Sequence, residues 1–219
     1  MAYTYDYLNG TDIYLYQDDQ MFRMNSDTAR LAAFMKIHTS DTVLDIGTNN
    51  GALLAAAARK NPSKLIGIEI QHDAVVLAKH NMEQLHIDAD IIEGDVSKLV
   101  MPKVTVVVCN PPYFQHYEGT AKNESEAMRI ARHEVHLTLD TLAKKVSQAL
   151  QEKGRFYLVH RSNRLIDIVT TLRAWRLETR TIQFIYDENK EEAIGVLIEA
   201  IKDGKANCHI LPPITHTRG

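Results

Sequence analysis

Asn110-Pro111-Pro112-Tyr113 follows directly on Val104-Thr105-Val106-Val107-Val108-Cys109, a run dominated by β-branched residues. Two consecutive prolines fix φ and withhold backbone donors, so the loop is stiff and presents carbonyl oxygens. The amide at its head adds another acceptor, and an aromatic ring closes it. A second constellation lies upstream. In Asp45-Ile46-Gly47-Thr48-Asn49-Asn50-Gly51 a glycine-rich turn joins an apolar run to an Ala-rich stretch, where backbone can approach a ligand closely. Glu69 ends the next apolar run and Asp95 closes Glu93-Gly94-Asp95. An acid at the first position can accept from both hydroxyls of a ribose, and one at the second from an adenine amino group. A dinucleotide would use the same Glu69, but its pyrophosphate needs a free helix N-terminus. Asp45, immediately before the turn, is better suited to a ligand carrying positive charge.

Residues so placed need a sheet to hold them. Short apolar, β-branched runs predict strands over 43–46, 65–70, 90–93, 104–109, 156–160, 179–186 and 193–201. Between them, helical patterns span 52–59, 73–85, 124–151 and 163–173, with a lead-in helix at 26–38. Alternating strands and helices imply an α/β fold, a parallel sheet covered by helices on both faces. The unbroken apolar run at 104–109 reads as its central strand. The last two strands, joined by a polar turn, read as an antiparallel pair.

With 219 residues, 45% hydrophobic and 24% charged, the chain reads as one globular domain, which at this length buries roughly 70% of its unfolded surface. No apolar stretch approaches the ~20 residues of a membrane span, and the start, tyrosine-rich and acidic, is not a signal peptide. Cys109 and Cys208 cannot build a disulfide framework or a zinc site, which points to a reduced, cytoplasmic setting. The net charge of −3 argues against strong nonspecific nucleic-acid binding. It is unevenly spread: residues 1–119 carry 9 Lys and Arg against 15 Asp and Glu, and 120–219 carry 16 against 13. Arg155, Arg161, Arg164, Arg173, Arg176 and Arg180 meet only Asp167 and Glu178 within 155–180. They read either as a phosphate-contacting patch or as the solvated face of ordinary helices.

Residues 45–51 resemble the first motif of class I S-adenosylmethionine methyltransferases, Asp/Glu-x-Gly-x-Gly-x-Gly, with Asn49 replacing the middle glycine. Asn tolerates positive φ better than other non-glycine residues. Residues 110–113 resemble the fourth motif of amino-group methyltransferases acting on planar nitrogens. Beyond these motifs the chain resembles the bacterial valine-tRNA adenine-N6 methyltransferases over nearly its full length. The likeness includes the lead-in at Asp27, Phe114 after the tetrapeptide, Ala131-Arg132-His133-Glu134, Val159-His160-Arg161, Arg164-Leu165 and Leu211-Pro212-Pro213.

The resemblance implies a Rossmann-like class I fold, with a mostly parallel seven-stranded sheet and one antiparallel strand near the C-terminus. Residues 1–219 would form a single domain, 1–40 being an N-terminal lead-in segment and helix. S-adenosylmethionine would be the cofactor, held by Asp27, Thr28, Asp45, Gly47, Asn49, Asn50, Gly51, Glu69, Ile70, Asp95, Val96 and Asn110. Asn110, Pro111, Pro112 and Tyr113 would be catalytic, with Tyr113, Phe114, Arg132, His133, Arg161 and Arg164 contacting the substrate. That substrate would be the N6 amine of an adenine in tRNA, next to the anticodon. The protein would use no metal and act as a monomer or weak homodimer.

Plainer readings stand beside these. Ser26 serves equally as an N-cap. His133 and His136 are three apart rather than four, so His133, Glu134 and His136 do not form the zinc-binding His-Glu-x-x-His. Residues 115–124 form a polar stretch that reads as a substrate lid, and Cys109 as a small buried strand residue. Release-factor glutamine methyltransferases share Asn-Pro-Pro-Tyr but place a helical domain before the fold, and here 44 residues precede Asp45. A protein glutamine amide, an rRNA or DNA base amine, or a nucleoside-binding module without transfer activity are the alternatives.

Overall fold

A computed structural model describes residues 3–19, 21–111 and 137–216. Its main sheet is built on five parallel strands, β3 (Thr42–Ile46), β4 (Lys64–Glu69), β5 (Asp90–Glu93), β6 (Val104–Cys109) and β7 (Leu150–His160). Two more, β8 (Leu177–Asp187) and β9 (Gly195–Lys202), extend it beyond β7, and β9 runs antiparallel to both neighbours. The order is β8-β9-β7-β6-β3-β4-β5. The chain therefore builds outward from β3 in two directions, opening a crevice between the C-terminal ends of β3 and β6.

Helices cover both faces. On one lie α1 (Ser26–Phe34), α2 (Ala52–Ala58) and α3 (His72–Gln84); on the other, α4 (Leu139–Ala149) and α5 (Leu165–Ala174). The two-residue period of β6 divides it between the cores: Val106 and Val108 pack with Leu31, Leu54 and Val75, and Val107 and Cys109 with Leu142 and Ile168. All four are at most 1% exposed, so from Val106 to its end at Cys109 this strand carries only apolar side chains, and the first polar one after them is Asn110.

The structure changes several expectations. The helix expected over 124–151 ends at Ala149, because Leu150 turns extended and pairs with Val104. Residues before 137 in that span lie outside the described residues. The strand expected at 156–160 consequently begins at Leu150, with Lys153 at φ 61° in its irregular first half. The helix expected over 163–173 starts as a 3-10 turn, Ser162–Arg164, before α5. Besides the expected seven strands, β10 (His209–Ile210) and β11 (Ile214–His216) add to the far edge of β8, both parallel to it.

The lead-in differs most. The helix expected at 26–38 is the shorter α1, and its N-cap is Asn25 rather than Ser26. Ahead of it, β1 (Tyr3–Tyr7) and β2 (Tyr14–Asp18) form a separate antiparallel hairpin. Leu8, Ile13 and Leu15 bury its inner face against α2 and α3, while Tyr3, Tyr5, Tyr7 and Tyr14 stay exposed on the outer one. Among the described residues the free edge of β2 meets no strand; it meets Asn81 of α3. That buried side chain accepts from the Tyr16 N–H at 2.8 Å and donates to the Tyr16 carbonyl at 3.0 Å and the Asn50 carbonyl at 2.9 Å. One amide thus satisfies three backbone groups and fastens the hairpin to the loop after β3.

Candidate active site

Asp45 ends β3 on the α1/α2 side, 1% exposed. Thr48 donates its hydroxyl proton to Oδ2 at 2.8 Å, while Oδ1 is buried with no hydrogen-bond partner among the described residues. Burial pushes the carboxyl pKa up to about 7, against the Thr48 hydrogen bond that lowers it; the nearby Glu69 charge raises it further. Such a group gains from any cation brought beside it. The turn that follows has the backbone its glycines imply: Gly47, Asn49 and Gly51 have φ of 74°, 51° and 85°. Asn49 thus takes the left-handed conformation expected of it in place of glycine. Its side chain also donates to the Phe22 carbonyl, a bond glycine cannot make, and ties the turn to the lead-in. Asn50 donates to the Tyr16 carbonyl at 3.4 Å.

Glu69 is 5% exposed at the end of β4, and its carboxylate collects backbone donors. Oε2 accepts from Asn49 N–H at 3.0 Å; Oε1 accepts from Ile70 and Gln71 at 2.9 and 3.0 Å. The side chain predicted to hold a ribose therefore also holds the glycine-rich turn. Asp95 accepts from both the backbone and the hydroxyl of Ser97, at 2.9 and 2.6 Å, and the hydroxyl bond leads in keeping its pKa below the usual carboxylate range. Glu69, Ile70, Asp95 and Val96 line one open cavity with Gly47, Ile68 and Leu137.

Asn110 lies at the end of β6, one strand over from Asp45. Its Nδ2 donates to Thr28 Oγ1 at 3.0 Å, and its Oδ1 is buried with no hydrogen-bond partner among the described residues. Asp45, Thr28 and Asn110 line a second, open cavity together with Thr48, Asn49, Asn50, Phe22 and Met24. Gly47 is common to both cavities, so the two are neighbouring parts of one cleft at the strand ends. Two orphaned acceptors buried in one small space cost about 1–3 kcal/mol each unless a ligand answers them. A molecule with a nucleoside at one end and a cation at the other fits this donor set; the residues present suit S-adenosylmethionine.

Of the remaining predicted residues, Asp27 pairs with Arg30 at 3.0 Å, Gly51 opens α2, and Pro111 is buried beside Asn110. Pro112, Tyr113, Phe114, Arg132 and His133 lie outside the described residues, as do Glu134, His136 and the expected lid at 115–124. Cys109 is buried, and that burial pushes its thiol pKa well up, consistent with a packing residue.

The six arginines do not form one patch. Arg155 is paired with Asp41 at 2.5 Å near the start of β3, Arg173 with Glu178 and Arg176 with Asp203, all toward the opposite end of the sheet. Arg180 donates to the Asn207 carbonyl. Only Arg161 and Arg164 stand at the C-terminal edge of β7, and Arg164 is paired with Asp167 at 2.9 Å. Between that edge and the core, His160 accepts the Arg161 N–H on Nδ1 at 2.8 Å. Burial, with Arg164 and Arg161 nearby, lowers its pKa to about 4.

Sequence reasoning did not select Thr48, Phe22, Met24, Asn81 or Gly67. The last had a signal: a glycine inside an apolar strand marks a close approach. Gly67 pairs with Asp45, and a Cβ there would come within 2.8 Å of the Thr48 methyl group.

A sheet that reverses its build at β3, with a glycine-rich turn and an acid at the next strand end, is the fold of class I methyltransferases. A T. thermophilus 16S rRNA N2 guanine methyltransferase, solved in complex with AdoMet and guanosine, superposes on 92% of this chain with a TM-score of 0.64 at 17% identity, covering 50% of that protein. The chain belongs to the methyltransferase small domain family, whose model matches residues 21–179. It is 27% identical over 194 residues to a protein of Cytophaga hutchinsonii named tRNA1(Val) (adenine(37)-N6)-methyltransferase, covering 85% of this chain and 79% of that one. A relative of the same name from a Flavobacteriaceae bacterium is 27% identical over 153 residues, which are 65% of this chain and 61% of that one.

Proposed function

We propose that this protein methylates the exocyclic N6 amine of an adenine in tRNA, next to the anticodon, using S-adenosylmethionine. The observation that carries the chemistry is the buried, unpartnered Asn110 Oδ1 in the same cavity as the unpartnered Asp45 Oδ1. The acceptor follows from the two relatives whose names specify an adenine of a valine tRNA.

Bound in this cleft, S-adenosylmethionine supplies the methyl group and, in its sulfonium, a good leaving group. The chain's own work is to bind and orient. Asp45 attracts the positive end, and Glu69 and Asp95 take the nucleoside end through hydroxyl and amino donors. Asn110 Oδ1 and the Pro111 carbonyl accept the two N–H bonds of the target amine. An adenine amine is a poor nucleophile because its lone pair is delocalised into the ring. Two acceptors fixed on its hydrogens orient that lone pair and stabilise the positive charge that grows on nitrogen. No strong base is required. Tyr113 is assigned to stacking on the base, a contact worth ~1–3 kcal/mol in comparable sites, and the base must be unstacked to enter.

The test is nucleoside mass spectrometry on unmodified bulk tRNA incubated with the protein and S-adenosylmethionine, beside Asn110→Ala. N6-methyladenosine is expected with the wild type, with a loss on the order of 100-fold in the variant. A bound cofactor with no methylated nucleoside would overturn the tRNA assignment. Equal activity of Asn110→Ala would remove that residue from the mechanism.

A further inference from the structure

We infer that Thr28 and Asn25 are positioning residues for Asn110: the hydrogen-bond polarity of the cap that starts α1 decides which atom of the Asn110 amide faces the cavity. The inference rests on the reading above, in which Asn110 Oδ1 receives the target amine.

An amide is nearly symmetric in shape, so packing alone cannot tell its oxygen from its nitrogen; only neighbouring donors and acceptors can. The chain of constraints starts at Asn25. Its Oδ1 accepts the N–H groups of Asp27 and Thr28, at 2.9 and 3.1 Å, which commits that oxygen as the cap acceptor. The Thr28 hydroxyl lies 3.4 Å from the same oxygen, and toward an oxygen already fixed as an acceptor it can only donate. Its single proton is thereby directed at Asn25. What remains on Thr28 Oγ1 is lone pairs, so toward Asn110, 82 residues along the chain, the hydroxyl accepts. The Asn110 amide answers with Nδ2–H at 3.0 Å, which turns Oδ1 into the cavity.

The opposite orientation would set Oδ1 against the lone pairs of Thr28 and face the cavity with an NH2 group. A target amine arriving there would meet donors where it needs an acceptor. Leu31 anchors α1 in the core beside Val106 and Val108, and the cap of the same helix specifies a proton direction as well as a helix start.

The readout is the Asn110 side-chain amide in 15N-resolved NMR of the ligand-free protein, identified as the pair of signals missing from Asn110→Ala. In the wild type these protons are expected to exchange slowly, and in Thr28→Val rapidly, since valine keeps the shape and removes the acceptor. Thr28→Ser is expected to restore slow exchange, and Asn25→Ala to speed it. In turnover, Thr28→Val is expected to lower kcat on the order of tenfold, Thr28→Ser to restore kcat, and Thr28→Val to have no further effect in the Asn110→Ala background. Slow exchange and full kcat in Thr28→Val would overturn the inference, as would an equal loss with and without Asn110. Full activity of Asn110→Ala would instead overturn the functional reading, because amide exchange is measured without any turnover.

Discussion

The carboxylate of Glu69 holds the backbone N–H of Asn49 at 3.0 Å, so the acid that ends β4 also shapes the turn that ends β3. Ligand contact and loop geometry therefore share one side chain. Glu69→Ala is expected to release three backbone N–H groups, those of Asn49, Ile70 and Gln71, and to weaken S-adenosylmethionine binding by about 2 kcal/mol. Titration calorimetry reads this directly. Unchanged affinity would remove Glu69 from the cofactor site.

Asp45 makes both stability and binding depend on pH. Its native pKa is about 7, against about 3.9 in an unfolded chain. Between those values the folded state holds the extra proton, so the ligand-free protein is expected to lose stability as pH rises from about 4 to about 7. A cation beside Asp45 favours the ionised form, so cofactor affinity is expected to rise through the upper part of that range, with proton release on binding. Calorimetry in two buffers of different ionisation enthalpy measures that proton. Asp45→Asn should bind weakly with a flat profile, and a flat profile in the wild type would contradict the assignment.

Asn81→Ala is expected to leave the Tyr16 N–H and the Asn50 carbonyl without their side-chain partner, and the Tyr16 carbonyl with the longer 3.4 Å bond from Asn50. Urea denaturation should register a loss of about 2–4 kcal/mol, since several buried polar groups become unsatisfied together. A change below about 0.5 kcal/mol, the level of an ordinary surface substitution, would mean that the hairpin holds to the body by its apolar face alone.

Gly67→Ala tests how Asp45 is held. The added Cβ would meet the Thr48 methyl at 2.8 Å and the side chains of Ile91 and Leu54 at 3.0 Å. Overpacking of this kind costs about 1–3 kcal/mol, and displacing Thr48 also disturbs its bond to Asp45. The expected result is a lower Tm together with weaker cofactor binding. A stable variant with wild-type binding would show that the strand accommodates the methyl.

Replacing Arg161 and Arg164 together by Gln is expected to weaken tRNA binding and to reduce the slope of log affinity against log salt by about one to two. Filter binding across a salt series measures the slope. An unaltered slope would return both to ordinary surface roles.

Much of this molecule was legible in one dimension because its determinants are local. The β-branched runs at 43–46, 65–70 and 104–109 and the Ala-rich stretch between the first two fix strand, turn and helix within a few residues. Gly47, Asn49 and Gly51 advertise positive φ through their type alone. The Asn-Pro-Pro order likewise shows a rigid loop of acceptors before any fold is known. What the sequence could not hold was pairing at a distance. The tyrosine-rich start reads as a strand pair only once Asn81 supplies an edge partner 65 residues away. Leu150 continues a helical pattern until Val104 offers it a ladder. Six arginines close in sequence point to one patch, yet β7, α5 and β8 carry most of them to the far end of the sheet. The direction of the Asn110 amide was the least legible of all. Residue type gives a side chain with a donor and an acceptor; which one faces the cavity depends on a hydroxyl proton held by Asn25, and only the packing of α1 against the end of β6 brings those groups together.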